Sequence, residues 1–338
     1  MRDRIVPLVH HFYSVSFFAS FALNLVLIYL IFTKSPKQLG VYKYLMVFIS
    51  IFEIFYSLLD AILVPVHYSH GSAAVVLVDT TNKSVSPAWL RVLHLLYFGF
   101  FGASLAIFAV HFIYRYLVVS ANTRLLKTGL SWSLGGSFFC APDVETTEFL
   151  RADVMEKLGR RIDDFEYLGF YLYERAADGS IRMHFKPIIG VILLSATIAF
   201  SLSIIVVFGA KCYHHIAQLA KNTAVVSCHS QSLHRQLFYA LVIQTIIPVL
   251  LIQVPASVMF SLAFVEIELA ARGAFVSMAV ALYPVIDPLP NFFIIKPYRN
   301  ALFGCLRCNQ TGLVQPHSST VRPGDQRMLY TISETVNL

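Results

Sequence analysis

Charge is what this sequence has least of. Only 13% of its 338 residues are charged, against about 25% in soluble globular chains. Too little charged surface is present to cover a soluble fold. Tryptophan is nearly absent, at two residues, and the five cysteines (140, 212, 228, 305 and 308) are odd in number and lack framework spacing. That excludes a disulfide scaffold. No phosphate-binding glycine loop, nucleophile elbow or His-Glu-x-x-His stretch occurs, and the Ser, His and Asp residues are scattered without motif context. Nothing in the sequence reads as an enzyme, and no cofactor or metal set is expected. The halves do not resemble each other as those of an inverted-repeat transporter do. What the chain has instead is apolar mass: 57% hydrophobic residues, with 28 Phe and 17 Tyr. This is the composition of a membrane protein. The formal charge of +7 does not point to nucleic acid, because the basic residues lie between apolar runs and form no stripe.

A membrane-crossing helix needs roughly 20 mostly apolar residues. Six stretches qualify: 12–32, 42–66, 92–119, 187–209, 237–265 and 272–295. The first is read as a retained span and not a cleaved signal, with residues 1–11 as an outside N-terminus. A seventh stretch, 128–141, is deficient. Its 14 residues hold two adjacent glycines and four serines or threonines, and as a helix they reach about 21 Å, short of a core about 30 Å thick.

Charge placement speaks for seven crossings nonetheless, because short cytoplasmic loops are enriched in Lys and Arg. With the N-terminus outside, the inner face collects Lys34, Lys37, Lys43, Arg115, Arg124, Lys127, Lys211, Lys221, Arg235, Lys296, Arg299 and Arg307, and no acid. The short outer segments hold Arg2, Arg4, Lys83, Arg91 and Arg272 beside Asp3, Asp79, Glu266 and Glu268. Six crossings would turn the basic loops of the last three spans outward. Residues 142–186 carry 10 of the 19 acidic residues and read as a large acidic extracellular loop. Residues 296–338 read as a polar cytoplasmic tail.

Several stretches together resemble one family. They are Lys34–Tyr44 running into Phe52–Ser57 and Asp60; His-Phe-Ile-Tyr-Arg-Tyr at 111–116; Pro142–Leu150; Arg235–Thr245; Tyr-Pro-Val-Ile-Asp-Pro-Leu-Pro at 283–290; and Phe293–Arg299. In this order they resemble the nematode seven-transmembrane chemoreceptors of the Str class (serpentine receptor class r), which are G-protein-coupled and odorant-receptor-like. The resemblance covers nearly the whole chain, and its last two motifs are the most specific. It implies an all-α seven-helix bundle and a small environmental ligand, volatile odorants included. It also implies a heterotrimeric G protein as partner, surrounding membrane lipid, and residence in the plasma membrane of chemosensory neuron cilia. The departure is the fourth span, which is a full apolar helix in the family. A truncated, non-signalling family member is therefore the alternative reading, and a transporter or channel a more distant one.

The resemblance assigns G-protein coupling and switching to Arg115 with Tyr114 and Tyr116, and to the kinked stretch Pro284, Asp287 and Pro288. Since Tyr114 replaces the acid that precedes this arginine in rhodopsin-like receptors, an adjacent-carboxylate lock is absent; a plain interfacial anchor is the simpler role for Arg115. Intramembrane ionisable groups usually face the bundle interior, which singles out Glu53 and Asp60. Glu53 is expected to bond polar groups such as Asn24, and Asp60 to line a ligand pocket or pack. Pro248 and Pro255 are expected to kink the sixth span, with Gln244 and Gln253 satisfying freed backbone groups. His94, Tyr97, Phe98, Phe101 and Ser257 are the ligand candidates, each more ordinarily core. Asn82-Lys-Ser84 is a glycosylation sequon, Cys305 and Cys308 are candidates for palmitoylation, and the histidines at 214, 215, 229 and 234 read as a face toward a G protein.

Overall fold

Long apolar runs become long helices in the computed structural model, which describes residues 2–81, 83, 85–120, 143–175, 178–221, 228–267 and 273–308. The expected short span at 128–141 and the sequon at Asn82 lie outside the described residues. The chain divides into two compact units, Met1–Ala301 and Leu302–Leu338. Of the second, only the end of the last helix is described.

The helices are α1 (Arg2–Lys34), α2 (Tyr42–Leu63), α3 (Pro87–Val119), α4 (Val144–Leu158), α5 (Phe185–Lys221) and α6 (Cys228–Pro248), followed by α7 (Val254–Phe264), α8 (Gly273–Ile286), α9 (Leu289–Ile294) and α10 (Lys296–Cys308). Six stretches within them are long and apolar enough to cross a membrane: Val9–Lys34, Tyr42–Leu63, Pro87–Val119, Phe185–Gln218, Gln231–Phe264 and Gly273–Ile294. Residues 2–11, expected as a separate terminus, continue α1. The expected boundary at 209 is also passed, with α5 running on to Lys221. Helix breaks have local causes. Pro65 bars its predecessor from helical geometry, and α2 ends with Val64 in the left-handed region, its N–H on the Asp60 carbonyl at 2.8 Å. Pro248 removes a backbone donor, and a π-helical turn, Val249–Gln253, joins α6 to α7. Pro284, Pro288 and Pro290 crowd the last span, where α8 stops at Ile286 and α9 starts at Leu289.

The acidic stretch is not a plain loop. Asp143 caps α4 by accepting the Glu145 and Thr146 backbone N–H groups at 2.7 and 3.2 Å, and Gly159 closes that helix with φ 66°. Beyond it, β3 (Phe165–Tyr171) joins a sheet with β1 (Val66–His70) and β2 (Ala73–Asp79) in the order β1-β2-β3, all antiparallel. A second pair, β4 (Tyr173–Arg175) and β5 (Ile181–Met183), forms a small hairpin. Nearly every residue of β2 is buried, because both faces of the sheet are covered. On one side Val75, Leu77, Tyr167 and Tyr171 pack with Leu150 and Val154 of α4. On the other, Ala74 and Phe170 pack with Met259 and Ala263 of α7.

Ion pairs tie this cap together. Arg91, at the start of α3, forks onto both oxygens of Glu166 at 2.9 and 3.2 Å. Arg160 forks onto Asp79 at 2.5 and 3.1 Å. Burial alone would raise the Asp79 carboxyl, but the Arg160 fork and the Thr81 donors hold it below its ordinary range. His184 and Arg182 both meet Glu145, at 2.6 and 3.5 Å. The Lys83 ammonium turns inward to the Ile62 and Leu63 carbonyls, and burial pushes it down to about 8.

Candidate functional site

At the basic end of the bundle, α3 carries Arg115 into the interior. The residue is only 2% exposed. One nitrogen donates to the His234 backbone carbonyl of α6 at 2.9 Å, and the group sits 4.9 Å over the Tyr42 ring of α2. Tyr42 stacks on Tyr114, with centroids 5.8 Å apart, and Tyr116 turns its ring toward Phe208 and His215 of α5. Among the described residues no carboxylate pairs with Arg115. A buried charge needs partners, and this one is held by a carbonyl and a ring face, the latter worth about 0.5–2 kcal/mol. These contacts join α2, α3 and α6. His214 is exposed, whereas His215 lies against Tyr116, so the expected histidine face is reduced. His229, Cys305 and Cys308 are helical positions whose side chains are not among those described.

In mid-bundle the polar residues of four spans converge. Asn24 of α1 donates to the Ser20 and Pro284 carbonyls at 3.1 and 3.3 Å. Glu53, fully buried, has Asp287 and Asn24 as its polar neighbours. Gln244 of α6 donates to both the Asp287 carbonyl, at 3.1 Å, and its carboxylate, at 2.9 Å. The break at Asp287–Pro288 therefore receives its donor from another helix. Gln244 does the expected work of satisfying a freed carbonyl, though on the last span and not its own. Gln253 does not: neither of its buried amide atoms has a hydrogen-bond partner among the described residues.

At the sheet end an apolar cavity opens between α3, α5, α7 and the underside of the sheet. Tyr97, Phe98 and Phe101 of α3 form one wall, Ala256, Met259 and Phe260 of α7 another, and Val75, Val76, Gly169 and Phe170 the roof. Three sequence-derived ligand candidates thus line one space. The other candidates fall elsewhere. His94 is completely buried beside Tyr97 and Phe98 but off the cavity wall. Asp60 lies among Tyr56 and Tyr97 and is likewise off that wall. Ser257 faces outward, into a separate cleft between α5 and α7. Spacing placed these residues near the right depth; which way each helix is rotated was not contained in it.

The sheet supplies lining residues that hydropathy reading missed. His67 also reaches the cavity, with its ring Nδ1 2.9 Å from the Ser277 hydroxyl of α8, and burial drives it down to about 4. The available signal was the run Ala73–Val78, too short to cross a membrane and flanked by turn residues.

Three comparisons bear on this arrangement. The profile described as "Serpentine type 7TM GPCR chemoreceptor Str" matches residues 9–303. The chain is 34% identical over 299 residues to the Caenorhabditis elegans protein "G-protein coupled receptor str-217", covering 84% of this chain and 86% of that one. It is 30% identical over 319 residues to "Serpentine receptor class r-10" of the same species, covering 90% and 92%. Squid rhodopsin superposes with a TM-score of 0.52 at 14% identity, over 93% of this chain and 89% of that one. That likeness shows a rhodopsin-type helical bundle.

Proposed function

Because this chain belongs to the Str family of serpentine seven-transmembrane G-protein-coupled chemoreceptors, we propose that its ligand is a small, mainly apolar molecule held in the cavity beneath the sheet, and that Arg115 reports its arrival to a G protein. The observation that carries this reading is the placement of an aromatic-walled cavity and a buried arginine along one helix. Phe98 and Arg115 lie 17 residues apart on α3, about 26 Å. A ligand wedged among Phe98, Phe101, Met259 and Phe260 bears on α3 and α7 together. Binding then favours whichever bundle arrangement gives it more contact, by its differential affinity for the two states. At the other end the state that exchanges the His234 carbonyl for a G-protein group frees Arg115 from α6.

In this reading Asp287, Pro284 and Pro288 are the pivot of the last span, while Glu53 and Asn24 hold it against α1 and α2. The chain crosses the bilayer seven times. Since β3 pairs with β2, residues 165–171 lie on the same side as residues 73–79. From there α3 carries the chain to the opposite side at Val119, and the crossing back falls between Ser120 and Asp143. The cap within residues 143–184 then faces outside, and Asn82 is glycosylated on that same side of the membrane. The basic loops and the tail, with palmitoyl groups on Cys305 and Cys308, face the cytoplasm at the plasma membrane of a sensory cilium. The lining is apolar, as a volatile odorant requires, and the cavity, about 30 Å³ as it stands, widens to admit one.

Co-expression of the full chain with a G protein tests this, using a panel of apolar odorants and a second-messenger readout. Met259→Trp, which fills the cavity, is expected to abolish ligand responses at normal surface level. Arg115→Ala is expected to abolish signalling while ligand still binds, Tyr42→Leu to weaken the latch, and Tyr42→Phe to preserve it. Signalling undiminished in Arg115→Ala would remove the latch, and responses undiminished in Met259→Trp would remove the cavity.

A further inference from the structure

The π-helical turn between α6 and α7 leaves a polar group where a membrane protein rarely leaves one. Gln253, the last residue of that turn, is 5% exposed, and both of its amide atoms are buried without a hydrogen-bond partner among the described residues. It lies on the wall of a cleft of about 400 Å³ between α5 and α7, whose other lining includes Ile198, Leu202, Val254 and Val258. Ser257 and Ser261 follow Gln253 at four-residue steps, so the three share one helix face, and both serines are exposed. That face looks outward, toward lipid. The adjoining face of α7, with Ala256, Met259 and Phe260, lines the inner cavity, so one helix borders two sites. Gln253 is 11 residues from Phe264, the end of α7, which puts it about 16 Å down a core about 30 Å thick.

We propose that this cleft binds a small neutral lipophile dissolved in the bilayer core, an aliphatic alcohol or primary amide, whose head group hydrogen-bonds with the Gln253 amide as that side chain turns from its buried position into the cleft. An unpaired amide in hydrocarbon gains most from a partner that both donates and accepts, which hydroxyl and amide heads do. A charged head is excluded at this depth by the cost of carrying ionised groups into hydrocarbon. A phospholipid, whose head stays at the interface, does not reach Gln253. The cleft falls within the ~300–1,000 Å³ of ordinary small-molecule sites and holds a chain of about ten carbons. The site is independent of the ligand cavity: it requires only that the helices sit in a bilayer.

The test uses the full-length protein in phosphatidylcholine nanodiscs and a decanol derivative carrying a photoreactive diazirine in its tail. Adducts are expected between Ile198 and Leu202 and between Val249 and Leu262. Excess 1-decanol should lower this labelling at least tenfold while decane leaves it unchanged. Gln253→Leu should lower it equally, with the thermal unfolding midpoint unchanged. Competition by decane as strong as by decanol, or adducts spread evenly over the lipid-facing surface, would mean lipid solvation only and overturn the site. The competition arm needs no variant, so it decides even if Gln253→Leu does not fold.

Discussion

Gln244 is the residue whose two hydrogen bonds join α6 to the broken last span. Its amide holds both the carbonyl and the carboxylate of Asp287, at the point where the proline-rich last span breaks. Three turns earlier on the same helix, the His234 carbonyl holds Arg115. Releasing Gln244 leaves a buried carbonyl and a carboxylate oxygen short of a donor, a loss of about 1–3 kcal/mol. It also frees α6 from the α8–α9 junction. Gln244→Leu is therefore expected to lower the thermal unfolding midpoint and to raise ligand-independent signalling at matched surface expression. A lowered midpoint with unchanged basal signalling would make Gln244 structural only. Glu53, Asp287 and Arg115 could be picked from the sequence because ionisable groups in apolar runs are conspicuous. That Gln244 holds Asp287 could not: the bond spans 43 residues, and nothing local in Arg235–Thr245 announces it. His94, an inward-facing polar residue near the right depth, takes the more ordinary of its two expected places, in the core.

Among elements, the six crossing helices were legible because twenty apolar residues in a row have few alternatives in water or lipid. The sheet was not. Its strands are five and seven residues long, and β2 lacks alternation because helices cover one face and α4 the other. Its partner β3 lies some ninety residues away, in a stretch whose acids suggested an open loop. Many of those acids are spent on pinning the cap, through Glu166 to Arg91, Asp153 to Lys157 and Glu145 to Arg182. The sheet carries a pH signature of its own. His67 of β1 is pushed down to about 4 by burial and bonds Ser277, while in the unfolded chain an imidazole titrates near 6.5. The unfolded state takes up the proton first, so stability is full above about 6.5 and falls as the pH drops toward 4. Unfolding midpoints measured between pH 7.5 and 4.5 should decline for the natural chain, and His67→Gln should flatten part of that decline. A slope unchanged in His67→Gln would assign the acid sensitivity to another group, of which His94 is the nearest.

For the whole molecule, hydropathy and charge disagreed on the number of crossings, six against seven, and strand pairing offers a third vote. Residues 73–79 leave α2 on one side of the bilayer, and their antiparallel partner, residues 165–171, must be on that side too. Between them lies α3, 33 residues long, whose helical length of about 50 Å exceeds the bilayer core. An even number of crossings between the two strands is thus expected under the proposed topology, and α3 supplies one. Glycan acceptance reads this directly, since only lumenal sequons are modified. The chain holds Asn82-Lys-Ser84 and Asn309-Gln-Thr311, expected respectively outside and inside. Peptide N-glycosidase should shift the natural chain by one glycan, and Asn82→Gln should abolish the shift. In that background Val144→Asn, at an exposed first-turn position of α4 followed by Glu145 and Thr146, should restore it. A glycan regained at 144 requires a crossing between Ser120 and Asp143, which only the seven-crossing topology contains. A chain that accepts sugar at 82 but never at 144 would separate α4 from the first hairpin and reduce the crossings to six.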